Sequence, residues 1–220
     1  DHCNTHSSFK DKVYMSNLCQ EITLPTKPIQ HIDDSNGEIA LCILSAINLG
    51  LIKEKDELEE LCDLSVRALD EIIDYQEYPV QAAKISTEAR RSLGIGYIGL
   101  AHFLAKNKVK YDDKQALKLV DEITEAFQYY LLKASNELAQ EKGKCDFFDR
   151  TKYADGILPI DTYKKDLDDI VKRKLSYDWS TLRKDIKEYG LRHSTLSAQM
   201  PSESSSVVSN ATNGVEPPRD

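Results

Sequence analysis

The chain of 220 residues contains no C-x-x-C pair, which argues against a zinc knuckle or a thioredoxin-type redox motif. Its five cysteines, Cys3, Cys19, Cys42, Cys62 and Cys145, are odd in number and widely spaced, as suits a reduced, cytoplasmic setting. A run of about 18 apolar residues is also missing, so no membrane span is expected. Basic surplus is absent too: 29 Lys and Arg face 37 Asp and Glu, for a net charge of −8. Direct nucleic-acid binding or general membrane-surface binding would need a basic face. A small phosphorylated substrate is not excluded, because a few local donors can bind it against the global field. Asp1 to His6 offer neither a basic n-region nor an apolar core, so no signal peptide is expected. The chain opens without an initiator Met and stops at Pro218-Arg219-Asp220; it reads as a piece of a longer polypeptide.

What is present suits an ordinary globular core, with 40% hydrophobic and 30% charged residues. That length allows one domain or two small ones. Residues 1–35 read as loop and extended chain, since Pro25 and Pro28 forbid a continuous helix. Asn36-Gly37-Glu38 signals a turn. The apolar run 39–50 suggests a strand buried on both faces. Residues 54–76 carry Leu58, Leu61, Cys62, Ser65, Leu69, Ile72 and Ile73 at helical spacing. A second apolar run, punctuated by glycines, spans 94–104. The longest predicted helix is 114–142, with Leu117, Val120, Ile123, Phe127, Tyr130, Leu131, Ala134 and Leu138 on its core face and Gly143 as C-cap. Residues 157–161 lead into a short helix and 179–189 form another, closed by Gly190. Leu191 to Met200 read as strand or loop, and 201–213 as a Ser/Asn-rich loop that can start a helix. Buried apolar runs alternating with helices predict an α/β fold.

Three segments carry candidate chemistry. In extended chain, residues i, i+2 and i+4 face the same way, so Asn17, Cys19 and Glu21 would present an amide, a thiol and a carboxylate together. Such a set can hold a substrate hydroxyl, abstract an atom and take a proton. The plainer reading of Cys19 is a small core hydrophobe, but an amide and a carboxylate on the same face are costly to bury without purpose. Cys42, on pattern alone, is a packed thiol in a buried strand. Pro201-Ser202-Glu203-Ser204-Ser205 offers hydroxyls and backbone N–H groups suited to phosphate, against the bland reading of a solvated Ser-rich loop.

Taken together, Ser16-Asn17-Leu18-Cys19-Gln20-Glu21-Ile22, Asn36 to Cys42, and Pro201 to Ser205 resemble the large catalytic subunit of class I (aerobic) ribonucleotide reductases, in its enterobacterial and T-even-phage branch. The resemblance runs over the whole chain, with Asp161 to Asp166 and Ser209 to Gly214 fitting as well. It implies part of a ten-stranded α/β barrel, with a finger loop (about 14–28) through its centre and a phosphate-binding loop at about 200–213. On it, Cys19 would carry a thiyl radical that removes the ribose 3′ hydrogen, Glu21 would take the 3′-hydroxyl proton, and Asn17 would hold the substrate. Cys42 would be one of two redox-active thiols, its partner lying upstream; Cys3 does not match that partner's motif and is not assigned the role. Pro201, Ser202, Glu203, Ser204 and Ser205 would grip the substrate diphosphate, with Ser204 standing where Thr is usual. A Glu within a phosphate loop is electrostatically odd, and its N–H would matter more than its carboxylate.

The resemblance also implies a ribonucleoside diphosphate substrate, a metal-containing small subunit as radical source, electrons from thioredoxin or glutaredoxin, and a large-subunit homodimer. Allosteric ATP and dNTP sites, the tyrosine relay and the C-terminal cysteine pair would lie outside the chain, so the chain alone is not expected to turn over. Alternatives are a split, non-catalytic piece that completes a barrel by docking, or a thiol redox regulator. Gly94-Ile95-Gly96-Tyr97-Ile98-Gly99 satisfies G-x-G-x-x-G, but the polar stretch 86–92 before it lacks the strand of a dinucleotide site, so a close-packed strand is expected. Tyr129 and Tyr130 are expected to be structural, Cys62 a core thiol and Cys145 a loop thiol. His2, Cys3 and His6 are a weak ligand set and no metal is expected; His102 and His193 show no partner.

Overall fold

The computed structural model describes residues 7–218; the His2, Cys3 and His6 expectation lies outside them. Ile43–Asn48 forms β1 and Leu93–Ile98 forms β2. They pair in parallel, Ile43 opposite Leu93 and Asn48 opposite Ile98. Parallel neighbours need a long crossover, and two helices supply it: α1, Lys55–Tyr75, and α2, Gln81–Arg90. After β2 come α3, Leu100–Lys106, and α4, Lys114–Lys142. Short helices α5, Pro159–Thr162, and α6, Leu167–Val171, precede α7, Trp179–Tyr189. The chain then returns along the free edge of β2, where Leu93 and Ile95 donate N–H to Thr195 and Leu196 carbonyls at 3.1 and 2.8 Å. Last is α8, Glu203–Val208. Parallel strands joined by helices make the chain α/β. No helix of the described residues is long and apolar enough to cross a membrane.

β2 is flanked on both edges and buried at every residue. β1 is shorter than the run 39–50 suggested and is not buried on both faces: α1 packs against it, while Leu44, 45% exposed, lines an open cavity. The glycines of the second run sit inside β2, where a dinucleotide turn would need them after the strand. A Cβ at Gly94 would stand 2.6 Å from Leu44 Cδ2, and one at Gly96 would stand 2.5 Å from the Ala198 carbonyl, so both permit close packing. A helix does follow, through Gly99 at φ +74°, which the sequence pattern did not show.

Helix α4 has the bounds its periodicity predicts, and Gly143 (φ +88°) ends it by donating N–H to Ala139 O. Ile123, Phe127, Leu131, Ala134 and Leu138 are buried, whereas Leu117 projects into solvent. On α1 the buried stripe is Leu58, Cys62, Val66, Leu69 and Ile73, and Ile72 is exposed. Helix α2 escaped the pattern because its buried face is Ala82, Ala83, Ser86, Thr87, Ala89 and Arg90, small or polar residues without an apolar stripe. Tyr129 stacks on Tyr177 with centroids 4.7 Å apart and meets Trp179 edge-on, a packing role.

His193 does have partners. Its Nδ1 lies 2.9 Å from Ser135 Oγ and its Nε2 3.1 Å from Asp70 Oδ1. Asp70, fully buried on α1, also accepts from Arg91 Nε at 2.6 Å and Arg192 Nε at 3.2 Å, with Lys142 Nζ at 3.5 Å. One carboxylate therefore joins α1, the end of α2, the end of α4 and the strand-like segment beyond α7. Burial opposes its ionisation, but the His193 and Arg91 bonds win and hold it below the ordinary carboxylate range. Burial, opposed by Asp70, lowers His193 and keeps the imidazole neutral.

The sign of the pH dependence follows. Below about pH 6.5 the unfolded chain protonates its histidine while folded His193 does not, so stability declines from there downward. Asp70 contributes above its unfolded value of about 3.9, and that contribution disappears as pH falls through the lower folded value. Urea unfolding followed from pH 8 to pH 3 is expected to show the first stage below about pH 6.5 and only the onset of the second below about pH 3.9, His193→Gln removing the upper one. Asp70→Asn should cost about 3–5 kcal/mol at pH 7, since it strands buried cations.

Candidate functional site

Residues 16–22 are held as a tight turn, not as extended chain. Ser16 Oγ donates to Ile22 O (3.2 Å), Gln20 N–H to Asn17 O (3.1 Å) and Ile22 N–H to Asn17 Oδ1 (3.3 Å), with Gln20 at φ +61°. Asn is a natural turn former, since its amide can bond its own neighbouring backbone. The alternation argument therefore fails here. Asn17 and Glu21 lie at the neck of the turn, while Leu18 (95% exposed) and Cys19 stand at its exposed tip. Beyond the neck, Ile22 and Leu24 are buried against Phe9 and Ala198, with Cys42 packed alongside.

A cavity of about 290 Å³ opens at this neck, lined by Asn17, Glu21 and Cys42 among the apolar side chains of Ile22, Leu24 and Leu44. Three of the four predicted reacting side chains thus share one space, and Cys19 is not part of its lining. Glu21 Oε2 is buried with no hydrogen-bond partner among the described residues. Buried polar atoms are rarely left so without a reason. Burial first, and the Glu21 charge second, push the Cys42 thiol up to about 12. At neutral pH Cys42 is therefore a protonated thiol, suited to giving a hydrogen atom and poor as a nucleophile.

The serine-rich loop is ordered by its own side chains. Ser202 N–H donates to Asn213 Oδ1 (2.6 Å), Asn213 Nδ2 donates to Glu203 Oε1 (3.1 Å), and Ser205 Oγ donates to Ser202 O (3.3 Å). Glu203 thereby turns a carboxylate oxygen into the loop, which answers the electrostatic oddity of an acid at this place. Pro201, Ser204 and Ser205 are exposed, and Ser202 is buried. The loop is tied to the C-terminal ends of both strands: Asn48 Nδ2 donates to Ser209 O (3.3 Å) and Gly99 N–H to Thr212 O (2.8 Å).

None of Pro201 to Ser205 lines the cavity, yet β2 relates the two. Cys42 Sγ lies over Gly94, and Met200, which leads into the loop, lies over Gly96. Residues two apart in a strand point to one face, about 7 Å apart. Cys42 and the start of the loop therefore share one face of β2. Cys62 and Cys145 are both buried, Cys145 more deeply placed than a loop thiol suggests. Among the described residues no group of three or more His, Cys, Asp or Glu could hold a metal ion.

Comparison with known proteins shows which family the chain is similar to. A family profile described as "Ribonucleotide reductase, barrel domain" matches residues 1–220. The chain is 65% identical to the ribonucleoside-diphosphate reductase subunit alpha of Haemophilus influenzae and 62% identical to ribonucleoside-diphosphate reductase 1 subunit alpha of Escherichia coli. It is 46% identical to the subunit alpha of Enterobacteria phage T4. In each case all of this chain is covered, and it spans 29% of the relative's length.

Thiol labelling reads the site directly. With iodoacetamide at pH 8, exposed Cys19 is expected to react first. Cys42 should lag by about a hundredfold or more, since a thiol near 12 has so little thiolate there. Glu21→Gln should speed Cys42 only a few-fold, because burial is the larger cause. Equal rates for Cys19 and Cys42, by peptide mass spectrometry, would contradict the placement.

Proposed function

The chain belongs to the ribonucleotide reductase barrel-domain family, and on that premise we propose that it is the part of a ribonucleoside-diphosphate reductase large subunit that carries the radical thiol, one reducing thiol and the diphosphate loop. The observation that supports this reading most is the shared cavity of Asn17, Glu21 and Cys42 on the face of β2 from which the serine loop departs. Among the described strands β1 pairs only with β2, and its other edge is where further strands of a ten-stranded barrel would pair. Residues 14–28 would then be its central finger loop.

The chemistry follows from these positions. Cys19, as a thiyl radical, takes hydrogen from C3′ of the ribose and becomes a thiol. Glu21, with an unpaired buried oxygen, accepts the 3′-hydroxyl proton as general base, while Asn17 holds the substrate by its amide. The 2′-hydroxyl leaves as water. Protonated Cys42 and a second thiol elsewhere in the subunit supply two electrons and two hydrogens, ending as a disulfide. Cys19 then returns hydrogen to C3′ and is a radical again. Backbone N–H groups and hydroxyls of Ser202, Ser204 and Ser205 take the diphosphate, with Pro201 and Glu203 shaping the loop.

The radical would come from a metal-containing small subunit. Thioredoxin or glutaredoxin would restore the dithiol, and the cytoplasm is the setting such reductants require. The large subunit would act as a homodimer, with ATP and dNTP control sites elsewhere in it.

The test uses the full-length subunit carrying this chain, with its small subunit and a dithiol. Cys19→Ser and Cys42→Ser should yield no deoxyribonucleotide. Glu21→Gln should lower kcat by about 10² to 10⁴, the range for loss of a general base. Activity retained by Cys19→Ser would end this reading.

A further inference from the structure

Residues 12–37 contain no helix and no strand beyond one isolated bridge, Lys27 with Glu38. Irregular chain of this length does not fix its own position, because every ordered residue costs conformational entropy. Something at its base must hold it. Asp11 and Glu38 flank the segment, and both carboxylates turn toward the same two guanidiniums. Arg90 donates from Nε to Glu38 Oε2 (2.8 Å) and from Nη2 to Asp11 Oδ2 (3.0 Å). Arg150 donates from Nε to Asp11 Oδ2 (2.8 Å) and from Nη2 to Glu38 Oε1 (3.2 Å). Two acids from the loop base thus alternate with two bases from the scaffold in a closed, electrically neutral ring.

The Arg90–Glu38 side of the ring is shielded. The Arg90 side chain is 2% exposed. The Phe147 ring lies 5.1 Å from Arg90 Cζ and 4.2 Å from Arg150 Cζ, and Phe9 lies 5.6 Å from Arg90 Cζ. Backbone bonds close the same base: Lys27 and Glu38 exchange N–H to O bonds at 3.0 Å, Lys10 N–H donates to Arg150 O (2.9 Å), and Lys152 N–H donates to Ser8 O (2.7 Å). Among the described residues the tip around Cys19 is held by its own turn bonds and by the packing of Ile22 and Leu24 behind it, without an ion pair, so the charged anchor of the segment lies at its base.

We infer that Asp11, Glu38, Arg90 and Arg150 form a clamp that positions the 12–37 loop, and with it Cys19 and Glu21, for reaction. The inference rests on the reading of Cys19 as the radical thiol. None of the four touches the cavity lined by Asn17, Glu21 and Cys42; they are positioning residues. The arrangement also explains why burial is tolerated at Asp11: it opposes ionisation, and the Arg150 and Arg90 bonds overcome it to hold that carboxyl below its ordinary value.

The test pairs two readouts on the full-length subunit carrying this chain, assembled with its small subunit. Glu38→Gln is the main variant. Arg150→Gln, at the half-exposed side of the ring, is the milder one should the first fail to fold. Hydrogen exchange within 12–24 is expected to rise about tenfold, as for a locally opened unit, with 93–98 and 114–142 unchanged. The kcat should fall about 10²-fold, the scale of a misplaced reacting group, with KM within about twofold. Asp11→Glu, which keeps the charge, should recover most of the rate that Asp11→Asn loses. Exchange rising equally throughout would show a merely structural ring and overturn the inference, as would a loosened loop with unchanged kcat. If the unmodified subunit reduces no ribonucleotide, the reading of Cys19 falls, while the exchange readout still decides whether the clamp holds the loop.

Discussion

Two consecutive arginines at the end of α2 bear the buried charge pairing that joins the helices to the loop of the candidate site. Arg91 adopts a left-handed conformation as the helix C-cap (φ +47°), and this turns neighbouring guanidiniums into different networks. Arg91 reaches Asp70 and Asp74 on α1, while Arg90 reaches Glu38 and Asp11 at the base of the loop. A ten-residue helix therefore connects the helical layer to an irregular segment that has no lattice of its own. Buried ion pairs are poor sources of net stability, because desolvation consumes most of the attraction. Their effect is geometric: an arginine with both carboxylates satisfied has one low-energy arrangement, and moving either partner leaves an uncompensated buried charge.

The same reasoning explains what the sequence disclosed and what it hid. Hydrophobic periodicity is strongest where one apolar stripe faces a core, and α4 and α7 emerged with the bounds that pattern implies. It fails where small or polar residues do the packing. The face of α2 is alanine, serine, threonine and arginine, and Asp70 hides among the leucines of α1 because a carboxylate does not read as core. His193 was missed as a partner of Asp70 for a related reason. The residues are 123 positions apart, and single-chain patterns carry no information about such pairings.

The site was legible as a set of residues and not as a shape. Asn17, Cys19, Glu21 and Cys42 could be singled out by motif, but alternation along an extended strand placed three of them on one face. Asn17 instead uses its side chain to close a turn on Ile22, which splits the triplet between neck and tip. Local side-chain bonding to backbone overrode extended geometry, as it commonly does for Asn. The relation between Cys42 and the serine loop was equally invisible, since it runs through two glycines of β2 whose missing side chains make room for sulfur and for Met200.

One contrast ties structure to chemistry. Three buried carboxylates of this chain are met by an arginine, Asp70 by Arg91, Glu38 by Arg90 and Glu125 by Arg173, and Asp34 is met by the Gln30 and Asn36 N–H groups. Glu21 is the exception at the cavity, with a buried oxygen that no described group satisfies and a high-lying protonated thiol as its neighbour. A guanidinium there would be favourable for folding, but it would occupy the oxygen and deny it to any other hydrogen-bond donor. On the reading proposed above, leaving the carboxylate unpaired keeps that oxygen open to a substrate hydroxyl. The charge pairing of this segment accordingly lies at its base, with Asp11 and Glu38 on Arg90 and Arg150, and not in the cavity.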